Sequence, residues 1–471
     1  MSARGVVSAF ADGELGFVDE AELAAWIAQR RWYATKGRGS GQASVVETLP
    51  LGGEPPLVLA LVELRFNSGT RDLYNLMVGL RPAADGFDDE SICEVDGWVL
   101  HGALADPEHC RQLAQLLSAS AVVEQATGRV EFHGLEGSAP LAAATRVRAL
   151  AGEQSNTSLV YDEQVLLKVF RRLAAGTNPE LEMLRFLSEH GSENNAELLG
   201  WFEHRGERID ATLGIAVRHI AGARDGWRLT LDALAAGEGE TLMASLADLG
   251  AVTGRMHTLL ASDPADPDFS PEEPGFETTA LLAATIEEHL DRTLDSHSED
   301  PALGPILRCR EELREYVRHA ALGTVGGRLI RLHGDFHLGQ ALATSHGWVI
   351  VDFEGEPDRS PLERRRKRPA LRDVACMLRS IAYVVAVAEQ QRGVPPPDDW
   401  ERRARQSFLE GYLGNVDPSL LPSDLTAIEH TLTLLELEKA IYELRYEIDH
   451  RPDWVPIPVA ALSRLLEARA T

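Results

Sequence analysis

Cysteine is scarce in this chain. Four occur in 471 residues, Cys93, Cys110, Cys309 and Cys376, and no two form a CxxC pair. That argues against a zinc ribbon or a disulfide framework and fits reduced thiols in a cytoplasmic protein. Long apolar runs are also missing; none approaches the roughly twenty residues that a membrane span needs. The N-terminal stretch MSARGVVSAFADGELGFVDEAEL has no basic region leading into an apolar one, so no signal peptide is expected. Positive charge is in deficit, with 46 Lys and Arg against 73 Asp and Glu, a net charge of -27. Such a field repels nucleic acid and anionic lipid, so neither is expected as a partner. It leaves room for an anionic cofactor held by local basic groups and a metal ion. Compositional bias is absent as well. At 44% hydrophobic and 25% charged residues the chain is ordinary for a globular protein, neither disordered nor fibrous.

The length exceeds what one core supports and predicts two or three domains. Residues 1 to about 100 open with a helix, EAELAAWIAQRRW, followed by the strands PLVLALVELRF and DLYNLMVGL between Gly and Pro turns, a small α+β unit. The stretch from about 104 to 125, LADPEHCRQLAQLLSASAVV, has helical periodicity after an Asp-Pro start. From 143 to 220 strands dominate. TRVRALAGEQSNTSLVYDEQVLLKVFRRL reads as three strands, and AELLGWFEHRGERIDATLGIAVRHIAG as two more. Between them NPELEMLRFLSEHG is a helix that Asn178 can cap, with Pro179 first and Gly191 closing it. A five-strand lobe with one helix results. After Gly222 the pattern is almost wholly helical, as in LADLGAVTGRMHTLLAS and ALLAATIEEHLDRTLDSH, with a loop at 262–275. The basic run ERRRKRP at 363–369 reads as a solvated loop in an acidic chain rather than a nucleic-acid patch.

The chemistry is concentrated in LHGDFHLGQALATSHGWVIVDFEGEP, Leu332 to Pro357. Neither a buried strand pair nor a plain loop needs so many ionisable groups. Gly334 lets the backbone turn sharply, leaving Asp335 in a short loop, and WVIVDF returns as a hairpin that presents Asp352 near it. Two carboxylates so placed suit a metal-nucleotide reaction: one accepts a hydroxyl proton, the other holds Mg²⁺ on the phosphates. Mg²⁺ favours hard oxygen ligands, which makes the Gln340 amide oxygen a second candidate. His333 and His337 have the spacing of a helical zinc pair, but Gly334 and Gly339 discourage a helix and no Glu lies between them. A turn with purely structural hydrogen bonds is the bland alternative.

HGDFHLGQ and IVDFEGEP resemble the catalytic and metal-binding motifs of the aminoglycoside-phosphotransferase-like branch of the kinase fold. The form ending in Gln and followed by DFEGEP is most similar to actinobacterial maltokinases and their relatives, including a glucosamine kinase group. RRWYATKGR resembles the opening of the maltokinase N-terminal cap, EQSNTSLVYDEQVLLKVFRR its phosphate loop and lysine strand, and LRDVACMLRS and EKAIYELRYEIDHRPDW its C-lobe helices. The resemblance implies an α+β, bilobal, eukaryotic-kinase-like fold. It implies a cap at 1–103, an intermediate segment and β-rich nucleotide lobe at 104–220, and a helical C-lobe at 221–471 with the catalytic and sugar sites. ATP and Mg²⁺ are the implied cofactors and a small sugar the implied partner. Residue by residue, Asp335 matches the catalytic base, and Gln340 and Asp352 the metal ligands. Lys168 matches the lysine on the α- and β-phosphates, and Glu182 its ion-pair partner. Gln154, Ser155, Asn156, Thr157 and Ser158 match the phosphate-covering loop, where backbone N–H groups can meet phosphate without the usual glycines. His219 and Ile220 would lie against adenine.

Tyr442 and Tyr446, and Glu443 and Glu447, are each four apart and share helix faces. Trp454 follows closely. Sugars have apolar C–H faces and hydroxyl edges, so these five residues, with His337, are the substrate candidates; core tyrosines and solvated glutamates are the plain alternative. The resemblance implies maltose, phosphorylated at the anomeric hydroxyl, as acceptor. Glucosamine, phosphorylated at the 6-hydroxyl, is the alternative. Where maltokinases carry an aromatic and an acidic residue, this chain has Ile381 and Ala382 in RSIAYVV, which puts maltose in doubt. A cationic sugar would gain from carboxylates at 438, 443 and 447. A nucleotide-binding pseudokinase and another small-molecule phosphotransferase remain further readings.

Overall fold

The computed structural model of the chain describes residues 3–33, 41–86, 90–150, 155–275, 277–323, 327–356, 359–393, 395, 397 and 399–467. By packing, the chain divides into two compact units, Met1–Ser188 with Ala196–Ala221, and Glu189–Asn195 with Gly222–Thr471.

The first unit opens with helices α1 (Ala3–Ala11) and α2 (Glu20–Ala28). Asp19 starts α2 by accepting from the backbone N–H groups of Ala21 and Glu22. Antiparallel strands β1 (Gln42–Gly52), β2 (Leu57–Arg65), β3 (Arg71–Pro82), β4 (Ser91–Val95) and β5 (Trp98–Gly102) form a sheet in the order β1-β2-β3-β5-β4. The apolar run of β2 is explained by its two faces. Val58, Ala60 and Val62 pack with Trp26 and Ile27, whereas Leu57, Leu59 and Leu61 join a second core.

That second core is shared with α3 (Pro107–Ser118), which supplies Leu113 and Leu117. Asp106 caps α3 and Pro107 takes its first position. The helical reading of 104–125 is too long: Ser120 adopts a left-handed φ of 48° that ends the helix, and Val122–Glu124 is strand β6. It pairs with β7 (Gly128–Gly134). There follow α4 (Ala139–Ala142), β8 (Val147–Ala149), β9 (Asn156–Tyr161), β10 (Val165–Phe170), β11 (Arg172–Leu173), α5 (Pro179–Glu189), β12 (Leu198–Gly206) and β13 (Ala211–Arg218). The second sheet runs β6-β7-β12-β13-β10-β9-β8, seven strands where five are read from the sequence, the additional pair being β6 and β7. Phe132, Leu159, Leu167, Phe202 and Leu213 are its contribution to the shared core. Strand β11 crosses to pair with β3 of the first sheet.

The second unit is mostly helical: β14 (Arg224–Asp225), α6 (Gly226–Ala235), α7 (Leu242–Leu260), α8 (Thr278–Ser296), α9 (Gly304–Arg308), α10 (Arg310–Gly323), β15 (Leu329–Ile330), β16 (Ala341–Thr344), β17 (Gly347–Ile350), α11 (Pro361–Arg365), β18 (Arg368–Pro369), α12 (Leu371–Arg392), α13 (Trp400–Leu413), α14 (Leu425–His450) and α15 (Pro456–Glu467). The β16–β17 hairpin is joined by β14, and β15 pairs with β18. The segment 189–195 belongs here because Asn194 accepts from Ile350 N at 2.7 Å and donates to Trp348 O at 3.1 Å. The basic run is not a plain loop. Ser360 and Glu363 form a capping box that opens the short α11.

Helices α7 and α13 cross at backbone distance. A Cβ on Gly250 would lie 2.0 Å from Phe408 O, and one on Gly411 1.9 Å from Ala247 O. Helices α8, α10, α14 and α15 share a core of Ile286, Leu290, Leu313, Val317, Leu437, Ile441, Leu444 and Leu462. Among the described residues no helix is long and apolar enough to cross a membrane.

Candidate active site

The loop between β15 and β16 carries the first half of the acidic motif, and the segment after β17 the second. His333 is buried and its Nε2 meets Val351 O at 2.9 Å, tying the halves together; its ring lies against Phe336 and Phe353. Gly334 has a φ of +85°, and a Cβ there would stand 3.3 Å from Gly355 Cα, so glycine serves both the turn and the close approach. His333 therefore acts as a fastener.

The loop is held from behind by a residue that sequence reasoning passed over. Asp373, fully buried in the first turn of α12, accepts from His333 N at 2.9 Å and Gly334 N at 3.1 Å. Its Oδ2 also meets His257 Nε2 at 3.2 Å, and His257 Nδ1 meets the Tyr412 hydroxyl at 3.0 Å. Burial alone would raise the Asp373 pKa; the His257 hydrogen bond and the charges of His257 and His333 outweigh it and hold the carboxyl low. The α7–α13 crossing thus sets the loop through His257 and Tyr412. The signal was an acid in the first turn of the apolar run LRDVACML.

Asp335 emerges from this loop with its side chain a quarter exposed. Gln340, at the end of a short 3-10 turn, donates from Nε2 to Asp352 Oδ2 at 2.8 Å. Asp352 has a φ of 66°, a left-handed conformation costly for a residue with a side chain and concentrated at functional positions. The motif therefore places Asp352 and Gln340 side by side. Half a turn of the amide exchanges nitrogen for oxygen, so the pair offers the hard oxygen donors that Mg²⁺ takes. His337 Nδ1 accepts from Gly339 N at 3.0 Å. Burial pushes its pKa down, with the Asp335 carboxylate opposing; because Nδ1 accepts, Nε2 is the ring nitrogen left to donate.

A second group absent from the sequence reading is Lys439 of α14. Its Nζ lies 3.4 Å from Asp335 Oδ1 and 3.5 Å from Glu356 Oε1, over the Tyr442 ring at 4.6 Å. Glu356 is buried beside Arg359 and Arg372. Burial would raise its pKa, yet the charges of Lys439, Arg372 and Arg359 bring it down to about 2.

The α14 candidates are differently employed. Tyr442 and Tyr446 stack on each other at 6.4 Å, and Tyr446 is covered by His450 at 4.4 Å. Glu443 binds the buried Arg379 at 2.7 Å, and Glu438 is held by Arg372 at 3.1 and 3.2 Å. The expectation that carboxylates 438 and 443 stand ready for a cationic sugar is thereby corrected: α12 arginines already neutralise both. Glu447 differs. Its Oε1 accepts from the Tyr383 hydroxyl at 2.7 Å, while the buried Oε2 has no hydrogen-bond partner among the described residues. Tyr383 stacks on Trp454 at 5.8 Å and lies 6.2 Å from Trp227.

In the first unit Lys168 of β10 is buried opposite Ser158 of β9. Its carboxylate partner is Glu180, at 2.9 Å, rather than the expected Glu182. Residues two apart on a helix point to nearly opposite sides, so only one acid of the first turn can face β10. Glu180 is the buried one, its N–H held by the Asn178 cap at 2.8 Å. Ser155 precedes β9, with its Oγ 3.3 Å from Asn156 Nδ2, and Thr157 accepts from Arg171 Nε at 2.8 Å. Gln154 lies outside the described residues. His219 and Ile220 follow β13, half-exposed, with His219 N bonded to Gln164 O at 2.8 Å.

Residues 146–413, more than half of the chain, match the model of the phosphotransferase enzyme family, and the chain belongs to that family. It is a kinase-type enzyme with its α+β fold. Residues 26–106 match the maltokinase N-terminal cap domain, as the opening residues suggest. Among curated proteins the chain is 29% identical over 344 residues to a glucosamine kinase of Streptacidiphilus jiangxiensis, covering 71% of this chain and 76% of that one. A glucosamine kinase of Mycolicibacterium smegmatis is 26% identical over 328 residues, 68% of this chain and 79% of the relative. Among solved structures, a glucosamine kinase in complex with glucosamine, ADP and inorganic phosphate shares the fold with a TM-score of 0.67 at 23% identity, over 94% of this chain and 99% of that one. A second crystal form, form B, gives a TM-score of 0.69 over the same shares at 23% identity.

Proposed function

We propose that this enzyme transfers the γ-phosphoryl group of ATP to a hydroxyl of a small sugar, and that the sugar is glucosamine. Asp335 is the base that takes the hydroxyl proton, and His337 Nε2–H donates to the acceptor. Asp352 and Gln340 hold Mg²⁺, which when bound neutralises charge on the phosphates. Lys168, fixed by Glu180, and the N–H groups of residues 154–158 receive the nucleotide phosphates, with His219 and Ile220 beside adenine.

The observation that carries the choice of sugar is Glu447. A buried carboxylate oxygen without a partner is costly unless a ligand supplies one. An ammonium does so, and the Trp454 and Tyr383 rings offer apolar faces to a pyranose. The order implied by sequence resemblance, maltose before glucosamine, is reversed on this ground. Ile381 and Ala382 are buried in α12 and present no polar group to a second glucose ring. Both curated relatives described above are glucosamine kinases. Maltose stays as the second reading because of the cap.

The test is Mg-ATP turnover on glucosamine, maltose and glucose side by side. Glucosamine should exceed glucose in kcat/KM by about tenfold or more, and Glu447→Gln should erase that margin, a loss of about 1–3 kcal/mol of discrimination. Preference for maltose, or a margin unchanged by Glu447→Gln, would overturn the amino-sugar reading.

A further inference from the structure

Lys439 comes to the acidic motif from 104 residues downstream, on a helix from which the sequence reading takes only tyrosines and glutamates as candidates. Its side chain is only 12% exposed, and removing an ammonium from water costs several kcal/mol unless anions receive it. Glu356 alone does not explain it. Arg359 and Arg372 already contact Glu356, and Arg372 with Arg359 also holds Glu438. Arg368 sits in the same cluster, pushed down to about 10 by burial and then by its neighbour Arg372. Three arginines thus serve two carboxylates before Lys439 is counted. A fourth cation is surplus to that network, and the acid it faces outside the network is Asp335, at 3.4 Å. Its place is fixed on the other side by the Tyr442 ring.

We propose that Lys439 is a positioning residue for phosphoryl transfer: its ammonium orients the Asp335 carboxylate toward the acceptor hydroxyl and stays to balance charge as the group moves. This rests on the reading of Asp335 as the base. In the step, the acceptor O–H proton passes to Asp335 and the acceptor oxygen forms the new bond to phosphorus. The bond from phosphorus to the β–γ bridging oxygen breaks, with its electron pair leaving on ADP. Lys439 keeps its protons throughout. Once Asp335 is protonated the ammonium has lost one of its two anionic partners, and its field is free to act on the transferred phosphoryl oxygens.

The experiment compares Lys439→Met, Lys439→Arg, Asp335→Asn and the Lys439→Met/Asp335→Asn double variant, each checked for a wild-type melting profile. Two quantities are read: steady-state kcat and KM, and calorimetric binding of Mg-ADP with and without fluoroaluminate and sugar. Lys439→Met should lower kcat by at least about tenfold with KM for ATP within about twofold, and Lys439→Arg should recover part of the loss. The fluoroaluminate complex, a mimic of the moving phosphoryl, should weaken by about tenfold or more while Mg-ADP alone binds as before. The double variant should be slower than Asp335→Asn by clearly less than Lys439→Met is slower than wild type, because the part of the effect that acts through the Asp335 carboxylate is already lost. A kcat within about threefold of wild type in Lys439→Met, or losses that multiply in the double variant, would overturn the proposal. If Lys439→Met does not fold, the Arg variant decides: kcat within about threefold of wild type with unaltered fluoroaluminate affinity supports the role of the charge, and loss of Mg-ADP binding overturns it. Asp335→Asn retaining turnover within about tenfold would sink the base assignment, and this inference with it; an inactive Asp335→Asn beside a wild-type-like Lys439→Met sinks the inference alone.

Discussion

At the scale of single residues, two aspartates of one motif stand in different environments. Asp335 looks out from a tight loop toward a lysine, whereas Asp352 sits in a left-handed backbone conformation against an amide. Asp352→Asn keeps shape and hydrogen bonding but removes the charge that draws a divalent cation. Most Mg²⁺-dependent turnover should vanish in a variant that melts like the wild type, and near-wild-type activity would remove Asp352 from the site. Much of this was legible: Asp335, Gln340 and Asp352 lie within one motif, and Gly334 announced the turn between them. Asp373 behind the loop was passed over, and two further details were hidden. The choice between Glu180 and Glu182 depends on the rotation of α5 over β10, which a pattern of acids two apart does not encode. Lys439 was hidden because α14 buries residues on most sides, Glu436, Leu437 and Glu438 in succession, so periodicity gave no inward face on which to look for a functional cation.

At the scale of elements, helix boundaries followed local chemistry and sheet membership did not. The Asn178-Pro179 start of α5 and the Asp106-Pro107 start of α3 were readable because a cap and a proline are local signals. Strands β6 and β7 were missed because VVE is short and its helical flank extends the same periodicity; only the left-handed Ser120 separates them. The α7–α13 crossing matters most for the site. Gly250→Ala places a methyl against Phe408 O at a distance the helices must open to relieve. Overpacking of this kind costs about 1–3 kcal/mol. The variant should lose stability by that amount in urea melts. It should also lose kcat beyond any loss of folded protein, since His257 and Tyr412, which steady Asp373, ride on the two helices. Wild-type stability in Gly250→Ala would mean that the crossing relaxes without strain.

At the scale of the whole molecule, nucleotide candidates fall in the first unit and the proposed base and metal ligands in the second. A ligand that binds only folded protein stabilises it by about 2.7 kcal/mol at a hundred times its Kd. Mg-ADP at that level should raise the melting temperature by a few degrees in a fluorescence melt; absence of any shift at millimolar Mg-ADP would remove nucleotide from the reading. The acidic field of the chain does not oppose this, because local cations such as Lys168 act at short range and salt screens the rest. The position of Lys439 in the chain has one more consequence, for biosynthesis. A ribosome adds about 5–20 residues per second, so the Asp335 loop is made roughly 5–20 s before the lysine 104 residues later that completes its surroundings. On the proposed role of Lys439, a nascent chain whose Asp335 loop has emerged still lacks the cation that would orient that carboxylate until α14 has been made.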